Sequence, residues 1–213
     1  MIKLLQILFF LLIVRPLMFV IIGLNIQGKE HLPLTGPAIV AANHNSHLDT
    51  LALLSLWPLV RLGQIRPVAA ADYFLPNPVI AWFSLNIMRV IPIDRHRKDK
   101  NSDPLADCSA ALSRGEILVI YPEGSRGTPE QTIRFKTGIS RLAEQHPEAP
   151  IVPIFMHGLG KSLPRGDFLL VPFVCDVLIG DLLYWQGSVA ATMQSYQTAM
   201  DDLIEQCHRP EWE

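Results

Sequence analysis

The residues best suited to do chemistry sit in one short run, Asn43-His44-Asn45-Ser46-His47-Leu48-Asp49. An apolar stretch that reads as a strand precedes it, and an apolar stretch that reads as a helix follows. A helix starting just after His44 carries Asp49 in its first turns, back towards the loop. A bond from the His44 imidazole N–H to the Asp49 carboxylate then fixes the ring tautomer and raises the basicity of the other nitrogen. That is the base and its orienting partner from a catalytic triad, without a nucleophile of its own. The nucleophile would arrive with the substrate, most simply as a hydroxyl. Two other readings stand beside this one. The first is a structural histidine at a helix start. The second is a binuclear metal site of the type His-x-His-x-Asp-His, whose middle His47-Leu48-Asp49 fits. Asn45 and Thr50 occupy two of its ligand positions, and a site short of two ligands holds metal poorly.

A second group, Tyr121-Pro122-Glu123-Gly124-Ser125-Arg126-Gly127, ends the apolar run Ile117–Tyr121. Open α/β sheets bind ligands beyond the carboxyl ends of their strands. Proline and glycine permit a tight turn there, and Arg126 supplies a planar donor fork suited to phosphate. Taken alone, the segment also reads as a charged surface turn. The run Val90-Ile91-Pro92-Ile93-Asp94-Arg95 delivers another arginine at a strand end, or an ordinary surface one. In Pro150-Ile151-Val152-Pro153-Ile154, a proline inside an apolar strand marks an edge, a bulge or a special turn.

These segments need a scaffold, and the pattern after Gly28 supplies one. Short β-rich runs alternate with helical stretches, as in α/β domains. Strands are predicted at Ala38–Ala42, Val68–Ala71, Arg89–Ile93, Ile117–Tyr121 and Ile151–Met156, with one or two more within Phe168–Val177. Helices are predicted near Thr50–Leu56, Pro78–Ile87, Asp103–Arg114, Thr137–His146 and Ser188–Cys207. The last has apolar residues at three- and four-residue spacing and Ser188 as N-cap. Most strands are apolar on both faces, as in sheets covered by helices. The expected fold is therefore a mixed, mostly parallel sheet flanked by helices, preceded by an N-terminal apolar helix or helix pair. Residues 1–24 form the predicted membrane anchor and 25–213 the catalytic domain.

Residues 1–24 are apolar apart from Lys3, Gln6, Arg15 and Pro16. The segment is long enough to span a bilayer, which takes about 20 residues. Spanning would place Arg15 near mid-membrane, at a cost of about 2.5 kcal/mol or more. A signal peptide lacks its cleavage site, since Arg15-Pro16 follows the apolar run. The favoured expectation is a pair of short segments hinged at Arg15-Pro16 and lying in one leaflet, with Arg15 reaching the headgroups. The 213-residue chain carries 18 Lys and Arg against 20 Asp and Glu, a formal charge of −2, so it lacks the basic surface of a general nucleic-acid binder. Charged residues are only 18%, and 49% are hydrophobic, which excludes a disordered chain. Three scattered cysteines, Cys108, Cys175 and Cys207, make neither a disulfide framework nor a zinc knuckle and read as reduced thiols.

In this order and spacing, the four blocks resemble the signature of the glycerolipid acyltransferase superfamily. That signature runs Asn-His-x4-Asp, Gly-x-x-Phe-Ile-Asp-Arg, Phe-Pro-Glu-Gly-Thr-Arg and an apolar block with proline. Asn43, His44 and Asp49 match the first block. Pro122, Glu123, Gly124 and Arg126 match the third, with Tyr121 for Phe and Ser125 for Thr. Phe135-Lys136-Thr137-Gly138 is similar to the Phe-Lys-x-Gly that follows. The second block departs, with Arg89 where glycine is usual and Pro92 where phenylalanine is, while Asp94 and Arg95 match. The resemblance covers residues 28–155. It implies an O-acyltransferase in which His44 is the general base and Asp49 its partner. Arg95, Glu123, Gly124, Ser125, Arg126 and Lys136 would bind the acceptor's glycerol-phosphate end. The donor would be acyl-CoA or acyl-carrier protein, used as co-substrate with no cofactor and no metal. The acceptor would be a membrane lysophospholipid, foremost 1-acyl-glycerol-3-phosphate giving phosphatidic acid. The protein would be membrane-associated with its catalytic domain facing the cytoplasm. An acceptor with another head group, such as a lyso-ornithine lipid, and a non-catalytic lipid-binding protein remain open. His47 is read as a neighbour of the site, and Phe74, Leu75, Val79, Trp82 and Phe83 as core packing or an acyl path.

Overall fold

A computed structural model describes residues 1–94, 103–124, 135–162, 171 and 174–207. The described residues form a seven-stranded sheet: β1 (Leu24–Gln27), β2 (Ala38–Ala42), β3 (Ile65–Ala70), β4 (Ile91–Ile93), β5 (Ile117–Ile120), β6 (Ile151–His157) and β7 (Cys175–Ile179). Their spatial order is β1-β7-β6-β2-β5-β3-β4. Strands β2 to β6 run parallel, β7 is antiparallel to β6, and β1 is parallel to β7. The expected mixed, mostly parallel sheet is thus present. The sequence pattern did not single out β1, a four-residue strand at the edge of the sheet.

Alternation along β2 shows why both faces had to be apolar. Val40 and Ala42 join one buried cluster with Trp57 and Met18, while Ile39 and Ala41 join another with Leu112, Leu142 and Tyr196. Successive strand side chains point to opposite faces, so a sheet covered on both sides needs apolar residues throughout. The first face is covered by the N-terminal helix and α2 (Leu48–Ser55). The second is covered by α5 (Ala106–Ser113), α6 (Gly138–Gln145) and α8 (Val189–Gln206). The Ser188 hydroxyl accepts from the Ala191 N–H at 3.1 Å and caps α8 as the sequence predicts. Two short helices, α3 (Ala71–Phe74) and α7 (Leu159–Ser162), follow β3 and β6, and α4 (Pro78–Asn86) leads to β4.

The N-terminal helix departs from expectation. The hinge at Arg15-Pro16 does not form. The α-helical turns of α1 (Ile2–Phe9) continue through π-type turns Phe10–Val14 and Leu17–Ile22, giving one helix over Ile2–Ile22. Proline has no N–H to donate, and the widened turns on either side accommodate that loss while Pro16 keeps a helical φ of −57°. Nor does Arg15 reach outward: its Nη2 donates to the Trp57 carbonyl at 2.8 Å. Phe10, Val14, Met18 and Ile22 form a fully buried stripe in the first cluster. Leu4, Leu8, Leu12 and Val20, on the other side, are exposed.

Helix α4 is apolar but buries no side chain; Val79, Ile80, Trp82 and Leu85 are exposed. Of the five residues read as core or acyl path, Phe74 is buried and Phe83 packs on the core against the Phe9 ring at 5.1 Å. Leu75, Val79 and Trp82 instead add to the exposed apolar surface. The helix's two faces make separable predictions for unfolding of the detergent-solubilised protein. Phe10→Ala, which empties a buried site, is expected to cost about 3–5 kcal/mol. Leu12→Ala, on the exposed face, is expected to change stability by less than about 0.5 kcal/mol.

Candidate active site

Five parallel strands bring their carboxyl ends to one edge of the sheet, and the candidate residues gather there. The loop after β2 holds His44, the turn after β5 holds Tyr121 to Gly124, and the ends of β3 and β4 contribute Ala70 and Ile93. Helix α2 starts at Leu48, so Asp49 lies in its first turn and its side chain returns to the loop. Asp49 Oδ2 accepts from His44 Nδ1 at 2.8 Å, from the Asn45 N–H at 2.6 Å and from the Ser46 N–H at 2.8 Å. Asp49 is 0% exposed, and its Oδ1 has no hydrogen-bond partner among the described residues. A buried carboxylate is stabilised only where such donors converge. With Nδ1–H committed to Asp49, Nε2 carries the lone pair. The His44 side chain is 20% exposed and lines a cavity of about 560 Å³.

Neighbouring side chains fix this pair. The Tyr121 ring stacks on His44 with centroids 4.1 Å apart and an interplanar angle of 18°. Its hydroxyl shares a 2.8 Å hydrogen bond with Thr50 Oγ1 on α2. Burial, reinforced by the Asp49 charge, pushes the Tyr121 phenol well above its usual pKa, so it stays neutral beside the imidazole. Asn43 clamps the loop to β6: its Nδ2 donates to the Met156 carbonyl at 2.8 Å, and the Met156 N–H donates to its Oδ1 at 2.7 Å. Glu123 is buried, and its Oε1 accepts from the His44 backbone N–H at 3.3 Å, joining the β5 turn to the base loop.

Lys136 lines the cavity, and its backbone N–H donates to the Pro122 carbonyl at 2.8 Å. Gly124 also lines it, at φ +71°, and a Cβ there would collide with the Lys136 ammonium. The positive φ favours glycine here, while the Lys136 side chain could shift to make room. Arg95, Ser125 and Arg126 lie outside the described residues, while the described Ile93 and Gly124 both line the cavity. His47 takes the N-cap position of α2 and faces Tyr73, whose hydroxyl lies 3.2 Å from His47 Nε2. The inner wall is apolar, built from Val68, Ile93, Ile120 and Ile139. Sequence reasoning did not anticipate the packing of Tyr121 and Thr50 beside His44, or of Tyr73 against His47. Only the aromatic position before Pro122 carried a signal, and it read as a mild replacement.

No serine or cysteine lines the cavity among the described residues, and Thr50 is engaged with Tyr121. The arrangement can therefore deprotonate a hydroxyl brought by a ligand; among the described residues it presents no serine or cysteine nucleophile. Among the described residues no group of three or more His, Cys, Asp or Glu could hold a metal ion.

The sequence model of the acyltransferase family matches residues 23–157. The chain is 33% identical over 144 residues to the chloroplastic 1-acyl-sn-glycerol-3-phosphate acyltransferase BAT2 of Brassica napus, covering 67% of this chain and 40% of that protein. It is 30% identical over 136 residues to the human 1-acyl-sn-glycerol-3-phosphate acyltransferase alpha, covering 63% and 46%. The chain thus spans less than half the length of these curated relatives. The solved structure of the 1-acyl-sn-glycerophosphate (LPA) acyltransferase PlsC from Thermotoga maritima superposes with a TM-score of 0.69. That match covers 89% of this chain and 74% of PlsC at 18% identity, a likeness of fold.

The Asn43 clamp can be checked without an activity assay. Asn43→Ala strands the buried Met156 N–H and carbonyl, and about 1–3 kcal/mol of stability should be lost for each unsatisfied group in denaturant unfolding. His47→Ala, at a partly exposed position, should leave the unfolding midpoint nearly unchanged.

Proposed function

The chain belongs to the acyltransferase family, and from that premise we propose that it acylates the free hydroxyl of a membrane lysophospholipid, foremost 1-acyl-glycerol-3-phosphate. The observation that carries this reading is the 2.8 Å contact between His44 Nδ1 and the buried Asp49, facing a cavity without a serine or cysteine nucleophile among the described residues. His44 Nε2 takes the proton of the acceptor hydroxyl as its oxygen attacks the thioester carbonyl of acyl-CoA or acyl-carrier protein. The tetrahedral intermediate collapses, the C–S bond breaks, and the thiolate leaves with the proton held on His44. The products are an ester and a free thiol, and no acyl-enzyme forms. Asp49 remains ionised and stabilises the imidazolium. The Tyr121 stack and the Thr50 bond hold the ring in the one orientation that serves both proton transfers.

The acceptor's phosphate falls to Lys136 at the cavity mouth and, by family resemblance, to Arg95 and Arg126 with the Glu123-Gly124-Ser125 turn. Two guanidinium groups and an ammonium suit a phosphorylated acceptor better than a neutral one. The apolar wall of Val68, Ile93, Ile120 and Ile139 offers an acyl chain a dry surface. The exposed apolar stripe of the N-terminal helix and exposed α4 would lie in one leaflet, with Trp82 at the interface. The buried stripe on the same helix favours this in-plane placement over a span.

Membranes carrying the protein, labelled acyl-CoA and lysophosphatidic acid should release free thiol and form labelled phosphatidic acid together. His44→Ala should lower both by about three orders of magnitude or more, and Asp49→Asn by about 10⁴-fold through loss of the correct tautomer. His47→Ala should retain activity within about tenfold. If His47→Ala abolishes transfer while His44→Ala does not, the base is misassigned. A panel adding acyl-carrier protein, lyso-ornithine lipid and other lysophospholipids resolves donor and head group. Silence with every pair would leave a non-catalytic lipid-binding role.

A further inference from the structure

A second cavity, of about 520 Å³, lies at the opposite edge of the sheet and shares no lining residue with the first. Arg66 stands at the start of β3, four residues before Ala70 of the candidate active site, roughly 13 Å along the strand at 3.3 Å per residue. The cavity is lined by Lys3, Arg66 and Arg89, and by the apolar side chains of Ile2, Val60 and Leu85. Ile2 lies on α1, Leu85 on α4 and Val60 on the Leu59–Gln64 turn between them in sequence, and all three are exposed, Val60 at 69%.

Among the described residues, cations outnumber carboxylates around this cavity. One carboxylate, Glu116, serves three guanidiniums: Arg114 at 2.8 Å, and Arg66 and Arg89 at 3.8 Å each. The two longer distances exceed a hydrogen bond. The Nε–H groups of both Arg66 and Arg89 are buried with no hydrogen-bond partner among the described residues. Burial pulls the Arg66 guanidinium below its usual pKa; Glu116 and, more weakly, Asp107 oppose this, and Arg89 and Arg114 reinforce it. Lys3 adds a further cation, in a chain whose formal charge is −2.

Arg89 is also held where its side chain costs stability. Its φ of +57° is the only positive value at a non-glycine among the described residues. Glycine adopts this backbone conformation without the strain that a side chain brings. An arginine kept at a position that suits glycine, aimed into a cationic cavity, points to a ligand.

We propose that the cavity between the N-terminal end of α1, the Leu59–Gln64 turn and the end of α4 binds a phosphate group, that of an anionic membrane lipid whose chains continue over Ile2, Val60 and Leu85 into the bilayer. The partly exposed guanidiniums of Arg66 and Arg89 would donate to phosphate oxygens, and Lys3 supplies a point charge. The site is separate from the acceptor's and would hold the domain on anionic membranes. It rests on the reading that the apolar face lies in a leaflet, and binding to neutral vesicles checks that reading separately.

The test is co-sedimentation of the full chain with phosphatidylcholine vesicles and with vesicles containing phosphatidylglycerol at about 30 mol%. The unchanged protein should bind both and prefer the anionic ones. Arg89→Gly should weaken anionic binding about fivefold, and Lys3→Gln with Arg89→Gly about 25-fold, leaving neutral binding intact. Arg89→Gly should also keep or raise the Tm, since glycine suits the backbone, and should leave turnover of detergent-dispersed substrate unchanged. Arg61→Gln, on the same turn but outside the lining, should have less effect. If Arg89→Gly binds anionic vesicles as the unchanged protein does, or Arg61→Gln weakens binding equally, no headgroup site exists. Loss of neutral binding in the unchanged protein would remove the leaflet reading and the lipid with it. Displacement from anionic vesicles by millimolar glycerol phosphate would identify the bare phosphate group as sufficient; no displacement would assign the site to lipid.

Discussion

Everything at the active edge hangs on one buried carboxylate. Asp49 Oδ2 gathers an imidazole N–H and two backbone N–H groups within 2.8 Å. A lone carboxylate removed from water would carry a penalty of several kcal/mol, so the three donors are a condition of its being there. The same bonds shape the loop from His44 to Ser46 and fix the start of α2. Helix position, loop conformation and histidine tautomer therefore form a single interaction, and loosening one loosens the others. Glu123 extends the arrangement to the β5 turn and Asn43 extends it to β6, so three parallel strands are tied together through the base loop.

The parallel sheet makes that convergence possible. With β2 between β5 and β6, residues far apart in the chain leave the sheet at the same edge. His44 and Tyr121 are 77 positions apart in sequence yet stack at 4.1 Å. The stack puts a rigid, neutral ring beside an imidazole that would alternate between charged and uncharged forms in the proposed transfer. The Thr50 bond fixes that ring from the far side, through the helix that also carries Asp49.

Much of this was legible in the sequence because chemistry and period coincide there. The His-x4-Asp spacing across a strand-to-helix junction is a local fact, and the structure returns the expected contact. Both-face apolar runs announced a covered, mostly parallel sheet. What stayed hidden was set by tertiary context. Edge strand β1 is too short to announce itself. Pro16 and Arg15 read as a break and a snorkelling cation. Instead, widened helical turns absorb the proline, and the Trp57 carbonyl takes the guanidinium. Arg89 stood out as a departure from a glycine, but its cause, a φ of +57°, belongs to the backbone alone. Which apolar helix is buried and which exposed cannot be read from composition, since α4 is as apolar as any core helix and buries nothing.

That last point links stability to function. The N-terminal helix uses one stripe to complete the core and leaves another uncovered, and α4 adds to the uncovered surface through Phe9 against Phe83. In water such a surface would favour association, whereas against lipid it is satisfied. A helix committed to the core by Phe10, Val14 and Met18 cannot leave to cross a bilayer without emptying those sites. On the proposed membrane reading, the outward stripe would set the orientation of the whole domain on a lipid surface. The base at the sheet edge and the apolar face keep a constant relation because one rigid core holds both. On the proposed reading, that fixed relation would bring a membrane-confined acceptor and a donor from solution to the same cavity.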